Sequence, residues 1–157
     1  MDFNCRPVET GDLNEICTFP RNAEELYFIY PSASYPLTCE QLNSAIHSRR
    51  QSTVVEHNNI VIGFANFYHW EQGCCMIGNF IIKPEYRGSG AASFFLDYMI
   101  NSAKIHYDAK YVEISCFSPN TRALLLYSKH GFAPFGVERR IDHSGLPVAL
   151  IHMRKPV

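Results

Sequence analysis

With 157 residues, 46% hydrophobic and 18% charged, the chain has the make-up of a single ordinary folded domain over residues 1–157, not of a disordered segment. A formal net charge of −1 without any Lys/Arg run argues against a nucleic-acid partner, which would need a basic stripe to neutralise phosphates. No apolar run approaches the ~18 residues of a membrane span and no leader-like N-terminal segment stands out, so a cytoplasmic protein with no membrane partner is expected.

Phe3 to Val8 reads as an opening strand, and Thr10-Gly11-Asp12 supplies capping residues for a short helix through Leu13 and Ile16. A second helical stretch, Ala23 to Tyr30, lies between Pro20 and Pro31. Thr38 with Gln41 has capping-box spacing and opens a helix through Leu42, Ala45 and Ile46. Strands over Ser52–Glu56 and Ile60–Trp70 flank the turn His57-Asn58-Asn59, and Gly73 breaks the chain before a strand over Cys75–Ile82. From Gly90 onward Ala91, Phe94, Phe95, Tyr98, Met99 and Ala103 recur at helical spacing on one face. A strand over Tyr111–Phe117, a helix from Pro119-Asn120 to Gly131, and a hairpin of Phe132–Arg139 with Leu146–Met153 complete the chain. Strands, helices and hairpins in this order predict an α/β (α+β) fold whose mixed, mainly antiparallel sheet is flanked by helices.

Six cysteines show no C-x-x-C spacing, so neither a metal site nor a redox motif is expected. They read as small apolar fillers, with vicinal Cys74-Cys75 the pair most open to oxidation.

The segment Arg87-Gly88-Ser89-Gly90-Ala91-Ala92 carries the first chemical signal. A strand running into a glycine-bearing turn and then a helix leaves first-turn N–H groups unpaired, at the positive end of the helix dipole. Glycines let the backbone approach a phosphate closely, and Arg87 adds a permanent cation at the rim. A Walker A loop would need Gly-Lys before Ser or Thr, which is absent. A dinucleotide fingerprint would need glycine at position 93, where Ser93 stands.

The third phosphate loop, R-G-x-G-x-[GA], fits at every fixed position. Downstream, Asn120 to Phe132 (NTRALLLYSKHGF) fits N-x-x-A-x-x-L-Y-x-x-x-G-F. On these two motifs in this order, and on Phe80-Ile81-Ile82-Lys83-Pro84-Glu85-Tyr86 ahead of the loop, the chain resembles the GNAT superfamily of N-acetyltransferases. Arg6-Pro7-Val8 and Gly11-Asp12-Leu13 resemble the family's opening strand and helix more loosely.

The resemblance implies acetyl-coenzyme A as cofactor. It implies that backbone groups of Phe80, Ile81 and Ile82 pair with the pantetheine arm as though with another strand. Amides from Gly88 and Ser89 through Gly90, Ala91, Ala92 and Ser93 would hold the pyrophosphate. Asn120 would bond the pantetheine region, with Lys129 near the nucleotide end or on a solvated helix face. Tyr127 takes the place of the group that protonates the leaving sulfur, with core packing as its alternative use. The Ile82 N–H would stabilise the oxyanion.

The base is left open. Several relatives carry a glutamate five residues before the asparagine, and here that position is Ser115, which cannot serve as a base at neutral pH. Glu113 is two residues earlier on the same strand face, Asn79 brings no charge, and His69 and Glu71 are the candidates for a base acting through water. For the acceptor side the resemblance points to Glu24, Glu25, Tyr27, Tyr30, Tyr35 and Arg139-Arg140, where aromatics and carboxylates could receive a protonated amine. The partner is then a small-molecule or peptide amine, with a homodimer left open. The rival to an enzyme is a non-catalytic acetyl-coenzyme A-binding sensor or interaction module; a Rossmann-type nucleotide binder is more distant.

Overall fold

In the computed structural model, which describes residues 1–157, the chain opens with β1 (Asn4–Pro7), a 3-10 turn over Thr10–Asp12, and α1 (Leu13–Ile16). Next come α2 (Ala23–Ile29), α3 (Cys39–Ser48), and the meander β2 (Arg50–His57), β3 (Ile60–His69) and β4 (Cys74–Ile82). The second half holds α4 (Ala91–Tyr107), β5 (Tyr111–Phe117), α5 (Thr121–Lys129) and the hairpin of β6 (Ala133–Ile141) and β7 (Pro147–Pro156). The seven strands form one sheet in the order β1-β2-β3-β4-β5-β7-β6. Only the β4–β5 pair is parallel, so the sheet is mixed and mainly antiparallel with helices around it, as the pattern predicts.

Burial on both faces explains the long apolar run of β3, of which Val61 to Phe67 are all buried. One face packs α4 through Phe95, Leu96, Met99 and Ala103 against Ile62, Phe67, Ile77 and Val112. Fully burying side chains such as Phe95 and Met99 contributes roughly 1.5–3 kcal/mol each. The other face packs α1 and α3 through Leu13, Ile16 and Leu42 against Val54, Phe64 and Ile81.

Two local expectations need correction. Phe94 is exposed and Tyr98 only half-buried; Leu96 and Ile100 join Phe95 and Met99 at the inner positions of α4 instead. Thr38 accepts from the Gln41 N–H at 3.2 Å, but the Gln41 side chain turns to Ser34 and Pro36, so only half of the capping box forms.

One irregularity positions the site. β4 carries an extra residue against β3 between the pairs Phe64↔Ile81 and Asn66↔Gly78, with Asn79 in the left-handed region at φ 51°. β4 pairs with β5 only over Cys74–Ile77 against Tyr111–Ile114. Beyond that point the strands part, while Ser115, Cys116 and Phe117 stay paired with β7. The opening is walled by Gly78–Ile82 on one side and the end of β5 on the other.

Candidate active site

Two cavities meet in this opening. The larger, of about 800 Å³, is a groove lined by Phe80, Ile81 and Ile82 on β4, by Gly88, Gly90, Ala92 and Ser93 at the start of α4, and by α5. The smaller, of about 510 Å³, lies between β4, β5 and β7 and reaches Arg49, Tyr68, Ser115 and His152. Phe28, Ile29, Phe80, Asn120 and Tyr127 line both.

The groove has the features of a phosphate and pantetheine site. Gly88 and Gly90 have φ of 80° and 93°, a backbone only glycine adopts freely, and Gly90 caps the 17-residue α4. The Lys83 N–H bonds the Ile62 carbonyl at 2.7 Å, so by the alternation of an antiparallel ladder the Ile82 backbone faces away from β3, toward the open edge. There the Ile82 carbonyl accepts from Arg87 Nε at 3.0 Å.

Several sequence-predicted residues are placed differently from expectation. Arg87 is no free cation: its Nη1 is held by Glu25 at 3.0 and 3.2 Å. Glu25, read as an acceptor-side carboxylate, is thereby engaged with Arg87 and Arg21. Those two guanidiniums hold its carboxyl below the ordinary range against the opposing effect of burial. Ser89 and Ala91 stay off the groove wall: the Ser89 hydroxyl donates to the Tyr86 carbonyl at 2.6 Å, and Ala91 is fully buried. The cation over the loop comes instead from Arg122 on α5, whose Nη2 lies 3.4 Å from where a Cβ on Gly88 would sit. Lys129 also lines the groove, and Ser93 Oγ lies 3.1 Å from His130 Nε2.

Tyr127 stands where the cavities join, edge-on to Phe80 and Phe132 at 6.4 and 6.2 Å. It is buried, yet its hydroxyl has no hydrogen-bond partner. Ser52 Oγ is the one fully sealed side-chain polar atom without a partner, so the equally unpartnered Tyr127 hydroxyl opens into the cavity. Burial holds its ionisation far above the usual tyrosine range, so it is a neutral donor at physiological pH.

The smaller cavity holds what sequence reasoning missed. Ser115 and His152 are register partners across β5 and β7, which brings Ser115 Oγ to 2.7 Å from His152 Nδ1. His152 Nε2 in turn lies 3.2 Å from Glu138 Oε2, and Arg140 beside Glu138 holds that carboxyl below its ordinary range. Glu113 also lines the cavity but is buried and tied to Arg154. His69 and Glu71 line neither cavity, the His69 ring being held on the Glu71 carbonyl at 2.9 Å. Tyr27 lines neither cavity and donates to the Ile141 carbonyl; Tyr35, bonded to the Arg21 carbonyl, lines neither cavity, nor does Arg139. Only a strand pairing could have revealed the Ser115–His152 contact, since 37 residues separate the two.

The model of the acetyltransferase (GNAT) family matches residues 16–132, most of the chain and both motifs. The chain belongs to that family. Its fold is shared with solved N-acetyltransferases of low sequence identity. The ribosomal-protein-S18-alanine N-acetyltransferase of Escherichia coli superposes with a TM-score of 0.78 at 18% identity, over 99% of this chain and 94% of that one. A variant of the spermidine N-acetyltransferase SpeG from Vibrio cholerae gives 0.79 at 20%, over 98% and 93%. The yncA protein of Salmonella typhimurium, solved with its cofactor acetyl-CoA, gives 0.79 at 17%, over 99% and 94%. No curated protein is similar enough in sequence to match. No helix of this GNAT protein is long and apolar enough to cross a membrane.

Proposed function

We propose that the chain is an acetyl-coenzyme A-dependent N-acetyltransferase that passes the acetyl group directly to a primary amine with both substrates bound. The observation that carries this reading is the meeting of two cavities at the unpartnered Tyr127 hydroxyl, one shaped for the donor and one polar enough for an acceptor.

The residues present fit the cofactor. The open edge of β4 offers the Ile82 backbone to the pantetheine arm in strand-like pairing, with Phe80 and Ile81 beside it. The first-turn amides of α4, through Ser93, and Arg122 suit a pyrophosphate. Asn120, whose side chain makes no capping bond, faces both cavities. Acetyl-coenzyme A, when bound, supplies an activated acetyl thioester.

The protein's own groups then divide the proton work. Glu138 accepts from His152 Nε2–H, which leaves Nδ1 free to accept from Ser115 Oγ–H. Ser115 Oγ thus takes a proton from the acceptor ammonium while passing its own to His152, whose charge is then balanced by Glu138. The Ile82 N–H, facing the open edge, would serve as the donor to the thioester carbonyl oxygen. The Tyr127 hydroxyl would serve as the proton donor to the thioester sulfur. This answers the absence of a carboxylate at position 115: the serine is insufficient alone, but its strand neighbour completes it.

The test is thiol release from acetyl-coenzyme A across a panel of amines, beside a melting-temperature measurement with the cofactor. A thermal shift with acetyl-coenzyme A and release with at least one amine are expected. A thermal shift without release from any amine would leave a binding module; no shift at millimolar cofactor would remove both readings.

A further inference from the structure

Arg49 follows α3 and begins the turn into β2, and its guanidinium is built into the wall of the smaller cavity. Its Nη1 donates to Asn66 Oδ1 at 3.1 Å and Asn79 Oδ1 at 2.9 Å. Asn66 also donates to Asn79 Oδ1 at 2.8 Å, and Asn79 to the Ile29 carbonyl at 2.8 Å, so the cradle is itself fixed. Both asparagines are buried. The guanidinium carbon sits 5.6 Å from the Tyr30 ring and 5.5 Å from the Tyr68 ring. A Cβ on residue 78 would lie 2.6 Å from Nη1, so Gly78 provides the seat.

The charge of this group is unmatched. Arg6, Arg21, Arg87, Arg140 and Arg154 each have a carboxylate partner. Among the remaining arginines, Arg50, Arg122 and Arg139 are exposed; Arg49 alone is sheltered with no carboxylate within 4.0 Å. Burial lowers its ionisation from the ordinary arginine value, but a guanidinium remains charged in a protein. Nε and Nη2 make no hydrogen bond, and neither is a sealed atom, so these donors open onto the cavity. The other charges there are already matched, Glu113 by Arg154 and Arg140 by Glu138. Tyr68, the tyrosine of these two that lines the cavity, already has this internal cation over its ring.

A cation partly withdrawn from water without a counter-charge is costly, and a planar guanidinium with a free N–H pair matches an oxyanion in a bidentate fashion. Resting on the acetyltransferase reading, we propose that the acceptor is a small amino oxyacid: one molecule carrying both the amine and a carboxylate or phosphonate, with the oxyanion on Arg49 and the amine toward Ser115 and His152. Polyamines, which bring only further positive charge, are rejected by the same group.

The experiment titrates the coenzyme A-saturated protein by calorimetry, so that binding is read without turnover. The probes are the twenty proteinogenic α-amino acids, 1-aminoethylphosphonate, the matching α-amino amides and decarboxylated amines, and spermidine. At least one amino oxyacid is expected to bind, with its amide or decarboxylated counterpart about tenfold to a hundredfold weaker, as loss of a charged hydrogen-bonded pair implies. In Arg49→Gln that ratio should fall toward one while coenzyme A affinity is unchanged; Arg49→Lys, which keeps the charge, should retain part of it. A role limited to holding the fold would lower the melting temperature and leave the ratio intact. Equal or tighter binding of amides, amines or spermidine, or no binding by any oxyacid, overturns the proposal. Carboxylate and phosphonate arms identify the preferred oxyanion. Thiol release with the same panel separates the two readings: anion-selective binding without release removes the enzyme and keeps this site. Release indifferent to charge keeps the enzyme and removes this site.

Discussion

Gly78→Ala tests the placement of Arg49 from the side of the backbone. The added Cβ would lie 2.6 Å from Arg49 Nη1 and 2.7 Å from Tyr68 Cδ1, where ordinary contacts need about 3.5–4.0 Å. Each group must therefore retreat by about 1 Å. Nη1 now stands at 3.1 and 2.9 Å from the two asparagine oxygens, and a displacement of that size carries it past the ~3.5 Å limit of a hydrogen bond. Asn79 Oδ1 keeps the bond from Asn66, whereas Asn66 Oδ1 is left without a partner inside the sheet. Losing a charged hydrogen bond and orphaning one buried oxygen costs about 2–4 kcal/mol. That corresponds to a fall in melting temperature of roughly 5–12 °C for a domain of this size. Urea unfolding at unchanged m-value measures it, and KM for the acceptor should rise while KM for acetyl-coenzyme A stays put, since Gly78 does not line the groove. Repeating the substitution in Arg49→Ala should recover much of the loss. A cost under ~0.5 kcal/mol with acceptor KM unchanged would refute a fixed guanidinium.

Tyr127→Phe removes a hydroxyl that bonds nothing in the free protein, so stability should stay within ~0.5 kcal/mol while kcat falls roughly 10²–10⁴-fold; comparable turnover would take the hydroxyl out of the chemistry. His152→Gln should lower kcat to a similar ~10²–10⁴-fold degree with KM for acetyl-coenzyme A unchanged; turnover equal to the parent would exclude it as the base. Gly90→Ala meets no atom within 4 Å, so its penalty is backbone strain alone: about 1–2 kcal/mol, with weaker coenzyme A binding by calorimetry. Asp12 accepts two bonds from Arg6, which holds its folded ionisation below the ordinary carboxylate range. Its contribution is therefore complete above that range and is lost as pH falls through it to the folded value. Asp12→Asn should lower stability at neutral pH and flatten the acid limb of a Tm-versus-pH curve; parallel curves would contradict the sign.

The sequence made legible whatever depends on short-range pattern. Asn58-Asn59 in left-handed geometry closes the β2–β3 hairpin, Gly88 and Gly90 adopt the positive φ their motif implies, and Gly131 ends α5 at φ 88°. Tyr127 falls at the meeting of the cavities. The parts that stayed hidden are those set by long-range register. Ser115 meets His152 because β7 enters the sheet beside β5, and no local pattern encodes that insertion. Arg49 belongs to no sequence motif, yet the bulge at Asn79 supplies it a seat 30 residues downstream. Arg87 follows its motif in position but not in use, because Glu25 on α2 captures it.

The bulge at Asn79 links the two cavities physically. A backbone left unpaired inside a protein must find a partner, and β4 beyond Ile77 has none on the β5 side. A regular β4 would either continue the parallel ladder and close the opening, or present its edge at another twist. With the extra residue, Phe80 to Ile82 present an accessible edge, while the Asn79 side chain turns inward to bind Ile29, Asn66 and Arg49. The same residue thus shapes the strand that would receive a pantetheine arm and orients the cation that would receive an oxyanion. The donor edge and acceptor charge are therefore not independent features. A substitution that straightens β4 should weaken both together, whereas one that touches only Arg49 should leave the donor side intact.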